Sequence, residues 1–199
     1  MTPYEILAGP YTLWLAPVGT AFPILTAAPA GTWVKIGTNG DANYDEDGVT
    51  VSHAMKQEVA RPAGRTGPVK AWTTEEDLMI SLKLWDVSLE QYATALNKAA
   101  VTTTAAGVAT PGTKKIGISQ GAEITLYALL ARGLSPYGDG FVAQYEVPRC
   151  YQSANAKPVF KKGKPATLDL EFTALEDLTA VSAAERFGRL IAQHQAPLP

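Results

Sequence analysis

The residues that could carry out covalent chemistry lie around one serine. Gly117, Ser119 and Gly121 form the Gly-x-Ser-x-Gly pattern of a nucleophile elbow, in which a serine hydroxyl attacks an ester or amide carbonyl. His194 follows later in the chain, in the order that α/β-hydrolases use for the histidine that acts as general base. Three residues are candidates for the orienting carboxylate: Asp139, Asp169 and Asp177. A serine hydrolase acting through Ser119 and His194 is therefore one hypothesis for the function.

The surrounding sequence does not predict the backbone that this chemistry requires. A nucleophile elbow lies between a strand and a helix at the edge of a parallel sheet. After Ser119, polar and apolar residues alternate over residues 123–128, which predicts a strand instead of a helix. His194 lies beside a proline-containing tail, where a solvated imidazole is far commoner than a buried base. We therefore keep the hydrolase only as an alternative.

Three further motifs suggest phosphate or cation binding, and none has the context that such binding needs. Residues 107–114 resemble a phosphate loop, but a threonine precedes the lysine and no strand is predicted before the loop. Residues 43–48 resemble the start of a calcium loop, but Ala54 stands where a bidentate carboxylate is required. The basic cluster at residues 161–164 suggests phosphate contact in isolation, whereas lysines in a hairpin turn are usually solvated. We therefore expect no cofactor and no metal.

The composition is that of an ordinary globular protein and argues against several classes. The chain has 199 residues, 17 basic and 19 acidic side chains, and a formal net charge of −2. Proteins that bind nucleic acid tightly normally carry a strong excess of basic residues. This chain has none, so we expect only transient contact with DNA. Cys150 is the single cysteine and cannot form an intramolecular disulfide. No apolar run approaches the roughly 18 residues of a membrane span, and we expect neither a membrane span nor secretory export.

Short segments with two-residue alternation, separated by glycine and proline, predict a fold that is mainly β. The predicted strands are residues 11–16, 33–36, 49–56, 73–85, 123–132, 141–151 and 166–173. Pro148 within one of them implies a bulge or an edge position, because proline cannot donate a hydrogen bond to the ladder. We expect one domain, residues 1–199, folded as an antiparallel β-sandwich or barrel, with residues 1–10 as an N-terminal arm.

Two capping boxes predict helices that accompany this sheet. Ser88 followed by Gln91 begins a helix of about three turns, which we expect to cover an edge or an open face of the sheet. Ser182 followed by Glu185 begins a second helix, at the C-terminal end, over residues 181–194, where apolar residues recur at helical spacing.

A polar segment of unusual length, residues 57–72, separates the two longest predicted strands. It contains two Xaa-Pro pairs, one further glycine and several basic residues, and is too polar and broken to join a core. Loops of this length in compact domains are usually functional or become ordered against a partner. This segment is therefore the first candidate for an interaction site.

A recognisable order of features runs through the first half of the chain. It consists of residues 9–21, residues 33–38, the acidic turn that leads into residues 49–51, Glu58, the proline-containing loop, and residues 74–82 running into the helix from Ser88. In this order they resemble the tail tube proteins, the major tail proteins of long-tailed bacteriophages. The second half of the chain continues the β pattern.

The resemblance implies a structural virion protein and not an enzyme. In that family a β-sandwich flanked by a helix assembles into a hexameric ring, strands from each subunit close an inner β-barrel, and stacked rings form the conduit for DNA. The implied partners are other copies of the chain, a tape measure protein, a tail terminator and a distal tail protein, with double-stranded DNA in transient passage. The implied location is the virion tail, assembled in the host cytoplasm.

The resemblance also suggests roles for particular residues. Residues 49–56 and 73–85 are expected to form the inner barrel wall, and residues 57–72 to reach a neighbouring subunit or ring. The residues expected to make contacts between subunits or rings are Glu58, Arg61, Arg65, Lys70, Asp41, Asp45 and Asp47. Those expected to face the lumen are Glu75, Glu76 and Asp77. Another ring-forming tail protein (tail terminator, distal tail protein or connector) is an alternative, and contractile and noncontractile tails both stay open.

Overall fold

Strands dominate the part of the chain that the structure describes. The computed structural model describes residues 9–97, 100–120, 122–138 and 140–195, and within them ten strands accompany one α-helix. The expectation of a mainly β fold with antiparallel pairing and one flanking helix is confirmed. The predicted N-terminal arm lies outside the described residues except for Gly9 and Pro10.

One large antiparallel sheet contains eight of these strands. The strands are β1 (Thr12–Pro17), β2 (Val34–Lys35), β3 (Tyr44–Ala60), β4 (Lys70–Leu84), β5 (Thr102–Thr104), β6 (Thr113–Lys115), β7 (Leu126–Leu134), β8 (Val142–Gln152), β9 (Leu168–Ala174) and β10 (Arg189–Ala192). The large sheet has the order β2-β1-β7-β8-β9-β4-β3, and β10 pairs with β8 beside this path. Strands β5 and β6 form a separate small hairpin.

The helix α1 (Leu89–Ala95) begins where the capping box predicts. The hydroxyl of Ser88 accepts a hydrogen bond from the backbone N–H of Gln91 at 3.4 Å. Asn97 follows the helix at a φ of 56°, a left-handed conformation that often ends helices. The helix contacts β9 and buries Ala93 and Ala95, so it covers part of the sheet as expected.

Strands from both ends of the sheet order contribute to one large apolar cluster, and a smaller second cluster contains residues of β1 and β7. Leu13 of β1 and Leu129 of β7 belong to the same buried cluster as Leu82 of β4 and Phe172 of β9. Alternate residues of β9 and of the last part of β4 point into this cluster, as the two-residue period requires. The first half of β3 therefore rests on the core, with Val49 packed against it.

Pro148 lies at a bulge in β8, as predicted. Tyr127 pairs with Cys150 and Leu129 pairs with Val147, so β8 contains one residue more than β7 between these pairs. Past the bulge, the other edge of β8 changes its partner from β10 to β9. The missing N–H of proline thus falls where the ladder is already interrupted.

The predicted C-terminal helix over residues 181–194 is wrong. Ser182 caps only a single 3-10 turn (Ala183–Glu185), and the chain then forms β10 along the free edge of β8. Gly188 adopts a φ of 126°, which favours glycine, and a side chain there would collide with the backbone of Glu146. Arg189 then pairs with the buried carboxylate of Glu146 at 2.7 Å, which stabilises the strand.

A buried tyrosine hydroxyl joins the start of β3 to the far edge of the sheet. The backbone N–H of Leu13 donates to the hydroxyl of Tyr44 at 3.0 Å, and that hydroxyl donates to the carbonyl of Ile36 at 3.0 Å. The N–H of Ile36 in turn donates to the carbonyl of Leu13 at 2.9 Å. The hydroxyl is thereby inserted into the antiparallel ladder that continues from β1 and β2.

We expect Tyr44→Phe to lower the free energy of unfolding by about 2 kcal/mol, because it leaves a buried donor and a buried acceptor without a partner. Urea unfolding at neutral pH measures this loss. The matched control is Tyr11→Phe, because the buried hydroxyl of Tyr11 has no hydrogen-bond partner among the described residues. Removing that hydroxyl should be neutral or slightly stabilising. Equal losses in the two variants would contradict the role given to Tyr44.

We expect the stability to fall as the pH rises above about 9. Burial raises the pKa of Tyr11 to about 12 and that of the Cys150 thiol to about 12, and it also raises the pKa of Tyr44. The unfolded chain releases these protons at a pH of about 8.5 to 10, whereas the folded chain retains them, so alkaline pH favours unfolding.

Urea midpoints measured between pH 7 and pH 11 test this expectation. Cys150→Ala removes the group with the lowest unfolded pKa, so the onset of the fall should move from about pH 9 to about pH 10. A midpoint that stays constant to pH 11 would contradict the assignment of these groups as protonated in the folded state.

Candidate functional site

Strands β3 and β4 continue well beyond the core as an isolated pair. From His53 to Asp77 every side chain except that of Ala60 is exposed. Strand β4 pairs with β9 only between Met79 and Leu84, and β3 has no second strand neighbour in the described part of the chain. We call residues 53–77 the ribbon. A two-stranded ribbon without a covering layer is at best marginally stable in water.

The segment predicted as a loop, residues 57–72, is largely part of this ribbon. Gln57 pairs with Thr73 and Ala60 pairs with Lys70, so only residues 61–69 connect the strands. Both prolines of the segment lie in this connection, where they interrupt no ladder hydrogen bond. The prediction that the segment stays out of the core is confirmed.

The two faces of the ribbon differ in chemistry. Met55 and Val59 continue the core-facing side of β3, and they are 63% and 44% exposed. The opposite face carries Trp72, which is 45% exposed, and the ion pair of Lys56 with Glu75 at 2.9 Å. The ribbon thus has an apolar strip on one face and mostly charged residues on the other.

The three acidic residues predicted to face a lumen do not share a face. Successive side chains of a strand point to opposite sides. Met55 is opposite Glu76, whereas Lys56 is opposite Glu75 and Ala54 is opposite Asp77. Glu75 and Asp77 therefore lie on the charged face, and Glu76 lies on the apolar face.

The ribbon is electrically polarised along its length. Its distal part carries three cations, Arg61, Arg65 and Lys70, and none of them forms a salt bridge within the described residues. Its proximal part carries four carboxylates against the single cation Lys56: Glu58, Glu75, Glu76 and Asp77. We call the part with the three cations the tip of the ribbon and the part with the four carboxylates its base. The tip is positively charged and the base is negatively charged.

The acidic turn, residues 41–48, lies at the opposite end of β3 and includes the first residues of that strand. Asp41 accepts a hydrogen bond from the hydroxyl of Thr12 at 2.6 Å, and Asp45 accepts one from the indole N–H of Trp85 at 2.6 Å. Asp47 pairs with Lys83 at 3.2 Å, and this hydrogen bond raises the pKa of the lysine. The contacts hold the turn in place, and a single lysine offsets its charge only in part.

The acidic turn borders a groove of about 570 Å³. Asp41, Asp45, Glu46 and Asp47 line one part of it, and apolar or aromatic side chains line the remainder. Tyr11 and Tyr145 lie side by side in its wall, with ring centroids 6.0 Å apart. The groove can therefore receive a segment that carries cations beside apolar groups.

The tip of the ribbon and the acidic turn cannot meet within one chain. Asp47 and Arg61 are separated by fourteen positions along β3, which at about 3.3 Å per residue corresponds to about 45 Å. The two charged ends therefore point away from each other. They can pair only between different copies of the chain.

The residues of the hydrolase hypothesis do not form a nucleophile elbow. Ser119 lies in an exposed connection between β6 and β7, and the described residues contain no helix between these strands. The ring of His194 lies 4.9 Å from the ring of Tyr137. The sheet is antiparallel throughout, so the strand–turn–helix context is missing.

The three candidate carboxylates of that hypothesis are scattered. Asp169 lies on β9 opposite Lys83, and Asp177 caps a turn by accepting hydrogen bonds from Thr179, which lowers the pKa of Asp177. Asp139 and Gly121 lie outside the described residues. The described residues also contain no group of three His, Cys, Asp or Glu side chains arranged to hold a metal ion.

Two further observations bear on the class of protein. The helices found in the described ranges are too short or too polar to cross a bilayer. Comparison with protein-family models and with the sequences of curated proteins finds no match to this chain. The ribbon and the acidic groove are therefore the features on which an assignment of function must depend.

Sequence reasoning identified the cations of the tip and the acidic turn, but not the groove. Tyr11 and Tyr145 are far apart in the chain, and only the pairing of β1, β7 and β8 brings them together. The sequence pattern does not predict the full length of the ribbon, because Val59 is followed by Ala60 and Ala71 by Trp72, which breaks the two-residue alternation of a strand.

We expect the rest of the chain to fold without the ribbon. Lys56 and Glu75 are opposite each other, so an Asn-Gly turn can replace residues 57–74 without changing the register below. Because those residues are exposed except for Ala60, the midpoint of thermal unfolding should change by less than about 4 °C. Loss of cooperative unfolding would show that the ribbon is part of the folded core.

Proposed function

We propose that this chain is a tail tube protein of a long-tailed bacteriophage, a structural virion protein whose hexameric rings stack into the conduit for genome passage. The observation that carries the proposal is the placement of opposite charges at the two ends of the long strand β3, the acidic turn at its start and the cations at the tip of the ribbon beyond its end. The proposed location is the virion tail, which is assembled in the host cytoplasm. Its proposed partners are other copies of the chain, a tape measure protein, a tail terminator and a distal tail protein.

The charge arrangement supports head-to-tail stacking. The cations Arg61, Arg65 and Lys70 of one copy match the acidic groove of the next copy, which contains Glu46 and Asp47. In a head-to-tail pair, one copy still has a free ribbon tip and the other a free acidic groove, so a further copy can add at either end. A contact of this kind propagates along an axis, as the stacking of rings requires.

The free edges of the ribbon support closure within a ring. Both outer edges of residues 53–77 lack a strand partner in the described part of the chain, and exposed edges of this length favour pairing with another chain. The apolar side chains Met55 and Val59 would leave water when ribbons from neighbouring copies pair. Ring closure would therefore pair the free backbone groups of both edges and shield the side chains of Met55 and Val59 from water.

The charged face of the ribbon suits a channel for DNA. Glu75 and Asp77 lie on this face, and Lys56 is held by Glu75. A lumen with this balance repels or ignores phosphate, so the duplex slides without sticking. Glu75 and Asp77 are therefore the lumen-facing residues of the proposal, and Glu76 belongs to the opposite surface.

Charge reversal at the two ends tests the stacking. The tip variant is Arg61→Glu, Arg65→Glu and Lys70→Glu, and the turn variant is Glu46→Lys and Asp47→Lys. Wild type should form rings or tubes with a central pore in negative-stain electron microscopy. Each variant alone should need at least about tenfold more protein to assemble, because like charges then oppose each other.

An equimolar mixture of the two variants should assemble more readily than either alone, because tip and groove are again complementary. Sedimentation velocity over a concentration series provides the mass, and circular dichroism verifies that each variant is folded. A folded wild-type chain that stays monomeric at the highest concentration would contradict the proposed function.

A further inference from the structure

Strands β4 and β9 carry polar side chains on the side of the sheet that faces away from the core. Asp169 and Glu171 alternate along β9 with buried leucine and phenylalanine side chains, so they point away from the core. Asp169 is opposite Lys83 of β4, and Glu171 is opposite Ser81. We call the surface formed by these four residues the polar face.

The polar face continues directly into the charged face of the ribbon. Glu75, Asp77 and Ser81 lie at even spacing on a stretch of β4 that pairs with β3 without interruption. Their side chains therefore project to the same side of the sheet. Because Glu171 is opposite Ser81, it extends this row from β4 onto the neighbouring strand β9.

The side of the sheet opposite the core is covered at β1 and β7, but it is bare at β4 and β9. Phe22 and Trp33, from the chain between β1 and β2, pack with Ala16 and Ala128 in the second apolar cluster. Neither apolar cluster of the described residues covers the polar face, and its side chains are partly or fully exposed. The bare part of the sheet is thus the part that continues into the ribbon.

The bare surface is acidic, because its lysines are already engaged. Lys56 pairs with Glu75 at 2.9 Å, and Lys83 pairs with Asp47 at 3.2 Å. Other carboxylates on this surface form no salt bridge within the described residues. They are Asp77, Asp169 and Glu171.

The carboxylate of Glu171 is held in a defined position on β9. It accepts a hydrogen bond from the hydroxyl of Ser153 at 2.9 Å, and that hydroxyl accepts one from the hydroxyl of Thr173 at 2.8 Å. These contacts involve neutral groups, so they orient the carboxylate and leave its negative charge uncompensated.

We propose that Asp169 and Glu171 of β9 line the conduit together with Asp77 and repel the phosphates of passing double-stranded DNA. The proposal rests on the proposed function, because it extends the lumen from the ribbon along one continuous face of the sheet. A wall of carboxylates releases no counterions from DNA, and that release is what drives phosphate binding. Asp169, a candidate for the orienting carboxylate of a hydrolase, thereby has an electrostatic role instead.

A change of charge on β9 tests this inference. The wall variant is Asp169→Asn with Glu171→Lys, and asparagine is chosen because a lysine at position 169 would be opposite Lys83. Tubes are assembled with a labelled double-stranded oligonucleotide, pelleted and treated with a nuclease, which a pore sized for a duplex excludes. We expect wall-variant tubes to retain at least about tenfold more nuclease-resistant DNA than wild type at low salt, and to lose this excess at high salt.

Two controls report on which side of the tube wall the DNA is held. Asp77→Lys changes a residue that the proposed function already places in the lumen, so its tubes should also retain nuclease-resistant DNA. The outer control adds the same positive charge on β5: Thr102→Lys, Thr103→Lys and Thr104→Lys. The β5–β6 hairpin is joined by Lys114 to Glu90 of α1, and α1 packs on the core side of the sheet. DNA retained by the outer control should therefore be digested.

The outcomes distinguish this inference from the proposed function. If Asp77→Lys tubes retain nuclease-resistant DNA and wall-variant tubes retain no more than wild type, β9 lies outside the lumen and the proposed function stands. A wall variant that is folded by circular dichroism but does not assemble also overturns the inference, because β9 then lies in a contact between copies. If the DNA held by both variants is digested, neither strand faces the lumen. A folded wild-type chain that forms no tubes overturns both.

Discussion

The hydroxyl of Tyr44 fixes the point from which the rest of the functional surface extends. It satisfies the N–H of Leu13 and the carbonyl of Ile36 inside the protein, where an unpaired polar group would be costly. Because Tyr44 is the first residue of β3, this contact sets the start of the long hairpin against β1. The acidic turn around this residue and the tip of the ribbon therefore lie at opposite ends of β3.

The ribbon is the least self-sufficient part of the molecule. Its residues gain almost no burial within the chain, so only main-chain pairing and a few exposed contacts such as Lys56 with Glu75 hold it together. Exposed ion pairs contribute little to stability. A chain that keeps Met55, Val59 and Trp72 in water on such a ribbon leaves apolar surface for a partner to cover. The ribbon is thus better explained by assembly than by the stability of the monomer.

Local patterns predicted the elements whose side chains alternate against the core, and they failed where a distant contact decided the outcome. Leu168, Leu170 and Phe172 alternate with polar residues, so β9 was visible in the sequence. The apolar spacing before Arg189 fits a helix equally well. The strand there forms because Glu146 and the free edge of β8 lie beside it, and neither is visible locally. The acidic groove is likewise a product of strand order, although the charges around it could be identified in the sequence.

Charge and apolar surface have separate tasks in the proposed assembly. Complementary charges chiefly set the approach, the register and the choice of partner, while burial of apolar groups supplies most of the affinity. Here the tip cations and the acidic turn lie at the ends of β3, whereas Met55 and Val59 lie between them on the ribbon. The charges therefore determine which end of one copy meets which end of the next, and the apolar strip between them determines how firmly neighbouring ribbons pair. In the proposed head-to-tail arrangement each end meets the complementary end of the next copy, so the contact repeats in one direction.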